Sequence, residues 1–169
     1  MGNIQKKFGY IYDKYVKKVY LFIYLKVSSP EIAEDITSRV FTQSWNKFKE
    51  AKEIENPRAY IYRVARNEVV NYYREKSKLK IVSTESIEIS GPKPEIEQEV
   101  QAKSEMEDIK KAVSLLKDDY QNVVIWHYLD DLPIKEIAGI MEKPEGTVRV
   151  MLHRALKEVR DILETANDH

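Results

Sequence analysis

Basic side chains recur along one face of the last helix that the sequence predicts. On a wheel at about 100° per residue, Arg149, His153 and Lys157 fall within about 80° of one another, and apolar residues fill the opposite side. Arginines on such a face can read guanine edges or hold phosphates, and an apolar side chain can meet a thymine methyl group. The candidate DNA contacts are Thr147, Arg149, Val150, His153, Arg154 and Lys157. The alternative is the solvated face of an ordinary bundle helix.

A shorter apolar helix is predicted directly before this basic one. Ile134, Ile137, Ala138 and Met141 share its apolar face, and the segment 142–144 forms a tight joint between the two helices. Small residues, Ala138 in the first helix and Gly146 with Thr147 in the second, leave room for close approach. This spacing is typical of a helix-turn-helix, whose second helix enters the major groove.

A second polar face lies on the helix predicted from Arg58 to about Lys78. Arginine, asparagine and tyrosine share it, and these residue types suit contacts to phosphates, base edges and unpaired bases respectively. For any single tyrosine, a place in the core is the stronger alternative. The candidate contacts are Tyr60, Arg63, Arg66, Asn67, Asn71 and Arg74.

Apolar residues at three- and four-residue spacing predict an all-α protein of two small helical domains. Ser29–Pro30 and Asn56–Pro57 each pair a capping residue with a proline suited to the first helical position. Residues 80–100 lose the helical period and collect Ser, Thr, Gly and Pro, which predicts a flexible linker between domains 1–79 and 101–169. A short strand at 81–82 or 87–89 is the alternative there.

Composition excludes several classes of function. The chain of 169 residues has no cysteine and 3 histidines, and no phosphate-binding loop, catalytic triad or metal-ligand spacing is present, so we expect no enzyme, metal or cofactor. It has no apolar run long enough for a membrane span and no secretory signal, so we expect a cytoplasmic protein.

The formal net charge of zero hides a segregated distribution. Residues 1–80 hold 17 Lys+Arg against 9 Asp+Glu, residues 81–121 hold 5 against 10, and residues 122–169 hold 6 against 9. The front segment is thus +8, which fits a polyanionic partner as well as it fits a merely lysine-rich domain.

Three blocks together resemble the extracytoplasmic-function (ECF) group of the sigma-70 family. Ala33–Trp45 is similar to the family's polymerase-clamp helix, Asn56–Lys76 to its promoter-melting helix, and Leu132–Leu156 to its helix-turn-helix. The resemblance covers roughly Phe8–Lys78 and Ser104–Leu163, which is nearly the whole chain.

The resemblance implies a transcription initiation factor that binds bacterial core RNA polymerase at its β′ clamp and β flap. It implies that the first domain captures flipped bases of the minus-ten promoter element, with Asn67 and Phe48 lining the base pocket, although a core role for Phe48 is an equal alternative. It implies that the second domain reads the minus-thirty-five element, and that an anti-sigma factor is a further partner.

By the same resemblance, the polymerase-binding residues are Asp35, Ser38, Arg39 and Thr42, on a helix that turns Ile36, Val40 and Phe41 inward. The chain departs from the family's pattern at Ser38–Arg39, where Gln–Glu is usual, and at Val150–Met151, where a polar or basic pair is common.

Two other functions remain open from the residues alone. A helix-turn-helix regulator that acts without polymerase would explain the C-terminal motif but not the basic, tyrosine-rich front half. A helical anti-sigma or adaptor protein would bind no DNA.

Overall fold

Every regular element is helical within the residues that the computed structural model describes, which are 2–51, 53–82 and 104–168. The all-α prediction is therefore confirmed. The chain divides into two compact units, residues 1–95 and 96–169. In the described segments, no helix is long and apolar enough to cross a membrane.

The first unit is a bundle of three long helices that all pack against one another. They are α1 (Gly2–Val27), α2 (Pro30–Ala51) and α3 (Pro57–Val82). Each helix gives one apolar face to a common core, in which the rings of Phe22 and Tyr62 meet edge to face with centroids 6.1 Å apart. Burial of these faces holds the three helices in register. The fully buried residues include Val19, Phe22, Ile23, Ile36, Val40, Ile61 and Tyr62.

The predicted caps are present at the starts of α2 and α3. The backbone N–H of Ile32 donates to Ser29 Oγ at 3.4 Å, and that of Ala59 donates to Asn56 Oδ1 at 3.1 Å. Both helices then begin on a proline, whose missing N–H is no loss in the first turn. The caps fix where each helix starts, and so which residues the helix turns outward.

Replacing Asn56 with alanine removes the shorter of these two caps, so we expect the first unit to lose about 1 kcal/mol of stability, roughly 5 °C in its Tm. The helix signal at 222 nm during thermal unfolding measures the loss. Asn56→Asp keeps the acceptor oxygen and should unfold near the wild-type temperature. An alanine variant as stable as the aspartate variant would show that the cap contributes nothing.

The ends of the helices differ from the predicted ones. α3 continues to Val82 instead of ending near Lys78, and α2 ends at Ala51. The linker assigned to residues 80–100 is therefore wrong at its start, and so is the alternative strand at 81–82, because these residues extend α3 by helical hydrogen bonding. The rest of that linker and the alternative strand at 87–89 lie outside the described residues.

The second unit is built around its last helix. α4 (Ser104–Ser114), α5 (Asp118–Val124) and α6 (Ile134–Met141) precede the long α7 (Glu145–Asn167), and each of α4, α5 and α6 packs on α7. The buried face of α7 carries Val148, Leu152 and Ala155. The joint predicted at 142–144 is confirmed, because it separates α6 from α7.

A π-helical turn, Ile125–Leu129, continues α5 and was not predicted. The backbone N–H of Asp130 donates to the Ile125 carbonyl at 3.1 Å, and that of Leu132 donates to the Trp126 carbonyl at 2.8 Å. The wider turn brings Ile125 and Trp126 into the core, where each is at most 1% exposed. The His127 ring nitrogen Nδ1 lies 3.1 Å from the Leu132 carbonyl, which ties the turn to the segment before α6.

Candidate nucleic-acid interface

The outer face of α7 carries the side chains that the sequence assigned to duplex DNA. The structure brings all of them together on one exposed side of the helix, and Val150, an apolar side chain, is 47% exposed among them. An amphipathic helix with an apolar inner face and a basic outer face can lie in a major groove while its unit stays folded. The six exposed residues are Thr147, Arg149, Val150, His153, Arg154 and Lys157.

The turn before α7 sets the angle at which this face is presented. Glu142 adopts a left-handed backbone conformation, with φ of 56°, and ends α6. The backbone N–H of Lys143 donates back to the Ala138 carbonyl at 3.1 Å, and Ala138 is itself buried. A Cβ added at the exposed Gly146 would meet nothing within 4 Å, so the first turn of α7 is slim on its outer side. The helix-turn-helix predicted from spacing is present.

The outer face of α3 carries most of the residues assigned to the melted promoter. Arg63, Asn67, Asn71 and Arg74 are exposed, and Tyr60 and Arg66 are half-buried. The guanidinium groups and the two side-chain amides share this surface, so it can hold phosphates beside an unpaired base. Tyr73 is 41% exposed, although its hydroxyl donates to the Lys26 carbonyl on α1.

Phe48 lies apart from that face. Its side chain is 7% exposed, and its ring packs against the ring of Phe8 with centroids 5.2 Å apart. Pro57, at the start of α3, lines the same small cavity as Phe48, whereas Asn67 follows ten residues later, about 15 Å along the helix. The burial favours the core role that the sequence left open for Phe48, which lies on a different helix from Asn67.

The four residues assigned to polymerase contact share one exposed face of α2. Asp35, Ser38, Arg39 and Thr42 are all exposed, while Ile36, Val40 and Phe41 are buried as predicted. The surface is thus available to a partner without any loss of core packing.

Arg39 links this face to α3. Its guanidinium donates to the Asp35 carboxylate one turn earlier, and its Nη1 lies 3.8 Å from Glu68 Oε2 on α3. The side-chain amide of Gln43 donates to Glu68 Oε1 at 2.6 Å. The hydrogen bond to Asp35, with the nearby Glu68 and Glu75 charges, raises the pKa of Arg39 further, so the residue stays charged. Arg39 therefore offsets part of the acidic character of this face.

An apolar groove of about 670 Å³ runs between α1 and α2 and was not predicted. Phe8 and Tyr12 form one wall, Phe41 and Trp45 form the other, and Ser38 and Thr42 also line it. Desolvation raises the pKa of the Tyr20 phenol, which lies at the same groove beside Glu34. The pairs 8/12 and 41/45 have the four-residue spacing of a shared helix face, which is the signal that could have indicated the groove.

Each of the two units matches a region of a known protein family. Residues 11–79 match Sigma-70 region 2, and residues 106–159 match Sigma-70, region 4. The first match contains α2 and most of α3, and the second contains α5, α6 and the first 15 of the 23 residues of α7.

Curated relatives resemble the chain over most of its length. It is 26% identical over 158 residues to the ECF RNA polymerase sigma factor BldN of Streptomyces coelicolor, a match that covers 92% of this chain and 60% of the relative. It is 26% identical over 167 residues to the ECF RNA polymerase sigma factor SigW of Bacillus subtilis, covering 92% of this chain and 88% of the relative.

Solved structures share the fold. The sigma factor RpoE of Bartonella quintana, crystallised with the anti-sigma factor NepR, has a TM-score of 0.76 at 20% identity, covering 94% of this chain and 98% of that one. CnrH, in complex with the cytosolic domain of CnrY, has a TM-score of 0.69 at 14% identity, covering 95% and 90%. With regions 2 and 4 in one chain and ECF sigma factors as its relatives, the protein belongs to the ECF group of the sigma-70 family.

Proposed function

We propose that this protein binds bacterial core RNA polymerase and directs it to promoters by holding DNA at two places. The observation that carries this proposal is the pair of exposed arginine-bearing faces, one on each unit, each inside a different sigma-70 region. A regulator that acts without polymerase would use the α7 face alone. The match of residues 11–79 to region 2 gives the α3 face a use that such a regulator would not have.

The two faces suit two forms of DNA. The α7 face joins basic side chains to a slim helix start, which fits the major groove of a duplex minus-thirty-five element. The α3 face combines arginines with the amides of Asn67 and Asn71 and with the half-buried Tyr60. This combination fits the displaced single strand of the minus-ten element. We infer that the protein acts by binding and not by catalysis, as a transcription factor.

The α2 face supplies the polymerase contact in this proposal. Removing Asp35 should weaken binding to core polymerase by about 2 kcal/mol or more, roughly thirtyfold in Kd, because a cationic group of the partner would lose its counter-charge in the interface. The free protein should keep its thermal stability, since the exposed Asp35–Arg39 pair is an i,i+4 surface pair. Titration of fluorescently labelled core polymerase with the Asp35→Ala variant measures the affinity.

Asp13→Ala is the matched control, because it removes an exposed carboxylate from α1 of the same unit. It should bind core polymerase as the wild type does. Equal weakening by both variants would mean that the effect is one of net charge and that the α2 face makes no particular contact.

Run-off transcription tests the proposal as a whole. The wild-type protein added to core polymerase should produce transcripts from a subset of promoters, and core polymerase alone should not. Duplex binding with no transcript from any bacterial polymerase would return the protein to the class of plain regulators.

An anti-sigma factor is a further partner in this proposal. Its support is the fold shared with the RpoE of Bartonella quintana, which was crystallised with the anti-sigma factor NepR. The groove between α1 and α2, with its aromatic walls, gives the first unit an apolar surface beside the proposed polymerase contact.

A further inference from the structure

A carboxylate is paired with the foremost arginine of the proposed reading face. Arg149 Nη2 lies 3.6 Å from Glu145 Oε2, and the two side chains are 62% and 46% exposed. Glu145, Arg149 and His153 follow one another at four-residue spacing, so they form one row along the outer side of α7. The acid therefore lies on the same side of the helix as the proposed base contacts, at its leading end.

Two ordinary roles exist for such an acid, and both concern helix stability alone. An i,i+4 pair stabilises a helix modestly, and an acid in the first turn complements the positive end of the helix dipole. An acid anywhere in the first turn could complement the dipole, but only an acid on the outer side can pair with Arg149. Glu145 instead lies at the leading end of the α7 face, beside the exposed Gly146, whose missing side chain leaves space around the carboxylate. In the proposed complex this carboxylate would approach the negatively charged major groove of the DNA.

The chemistry of the groove gives this carboxylate a selective effect. An ionised carboxylate only accepts hydrogen bonds. In the major groove, cytosine presents the N4 amino group as a donor, whereas guanine presents O6 and N7 as acceptors and thymine presents O4. Adenine also presents an amino donor, N6, but it places the acceptor N7 beside that donor, so a carboxylate at this place is satisfied best by cytosine. Guanine and thymine present only acceptors there and repel it, so the carboxylate discriminates by exclusion as well as by attraction.

We propose that Glu145 is a further specificity-determining residue. It holds the guanidinium of Arg149 toward a guanine edge and accepts a hydrogen bond from the N4 amino group of a cytosine at a neighbouring position. This inference rests on the proposed function of α7. A second consequence is that the negative charge of Glu145 lowers the affinity of the protein for DNA that lacks this cytosine.

The test uses the full-length protein with core polymerase and duplex promoters randomised across the minus-thirty-five element. Bound and input DNA are sequenced for the wild type, for Glu145→Gln and for Glu158→Gln. Glu158 is the matched control, because it is an exposed acid of α7 that lies thirteen residues, about 20 Å, along the helix from Glu145. The wild type should enrich cytosine at one position, and Glu145→Gln should lose about fivefold or more of that enrichment. It should also bind non-selected DNA more tightly, while Glu158→Gln should keep the wild-type profile.

A double variant separates positioning from direct contact. If Glu145 acts partly through Arg149, then Glu145→Gln should weaken the preference for guanine, and Glu145→Gln combined with Arg149→Ala should be no worse at that guanine than Arg149→Ala alone. A Glu145→Gln variant that binds every sequence more tightly with an unchanged enrichment profile would overturn the proposal, since the residue would then act only as a charge. A wild-type protein that enriches no sequence at all would overturn the proposed function, and this inference with it.

Discussion

Replacing Trp126 with alanine should unfold the second unit while the first stays folded. Trp126 is fully buried on the π-helical turn Ile125–Leu129, and truncating a buried tryptophan typically costs about 3–5 kcal/mol. A domain of the size of residues 104–168 has roughly 3–10 kcal/mol of stability in total, so little would remain. The α7 face would lose the packing that presents it, and duplex binding should disappear.

Hydrogen exchange measured by mass spectrometry checks this outcome unit by unit. Backbone amides around Val148 and Leu152 should lose protection in Trp126→Ala, and those around Ile36 and Ala65 should keep it. Trp126→Phe retains most of the buried volume and should leave both sets protected. Loss of protection in both units of the alanine variant would show that the two units do not fold independently.

Local signals predicted the parts of the fold that depend on neighbouring residues. Ser29 and Asn56 accept hydrogen bonds from N–H groups three residues ahead, so a capping residue followed by proline is enough to place each helix start. The tight joint before α7 is similarly local, because its backbone hydrogen bond runs only from Lys143 to Ala138. The exposed face of α7 followed from helical period, and so did that of α3 except at the half-buried Tyr60 and Arg66.

Features that depend on distant residues could not be predicted in this way. Phe48 is an aromatic residue of the kind that could line a base pocket. The ring that packs against it, that of Phe8, lies on another helix. The partner of Arg39 on α3, Glu68, is 29 residues away in the chain. No periodicity in the sequence marks the π-helical turn. The turn is stabilised by the burial of Ile125 and Trp126 in the core of the second unit. Such contacts are set by tertiary packing, which periodicity does not encode.

Exposure of single side chains on helix faces was predicted better than contacts between helices. Asn67 is exposed on α3, so its amide contributes nothing to the core. Alanine is also the better helix former, so Asn67→Ala should leave the first unit as stable as the wild type or slightly more stable. Any functional loss in this variant would therefore come from the amide itself, which makes it a clean test of promoter opening.

The Asn67→Ala variant should lose roughly tenfold or more of its open complex, while closed-complex binding to duplex promoter stays almost intact. Flipping a base costs a few kcal/mol, which only contacts made in the open state can recover, and a base edge left without its partner costs about 1–3 kcal/mol. Permanganate reactivity and binding to single-stranded minus-ten DNA, both with core polymerase present, measure the loss. Asn3→Ala makes the same substitution at an exposed position of α1 and should open promoters normally. Normal opening by Asn67→Ala would remove this residue from the base pocket.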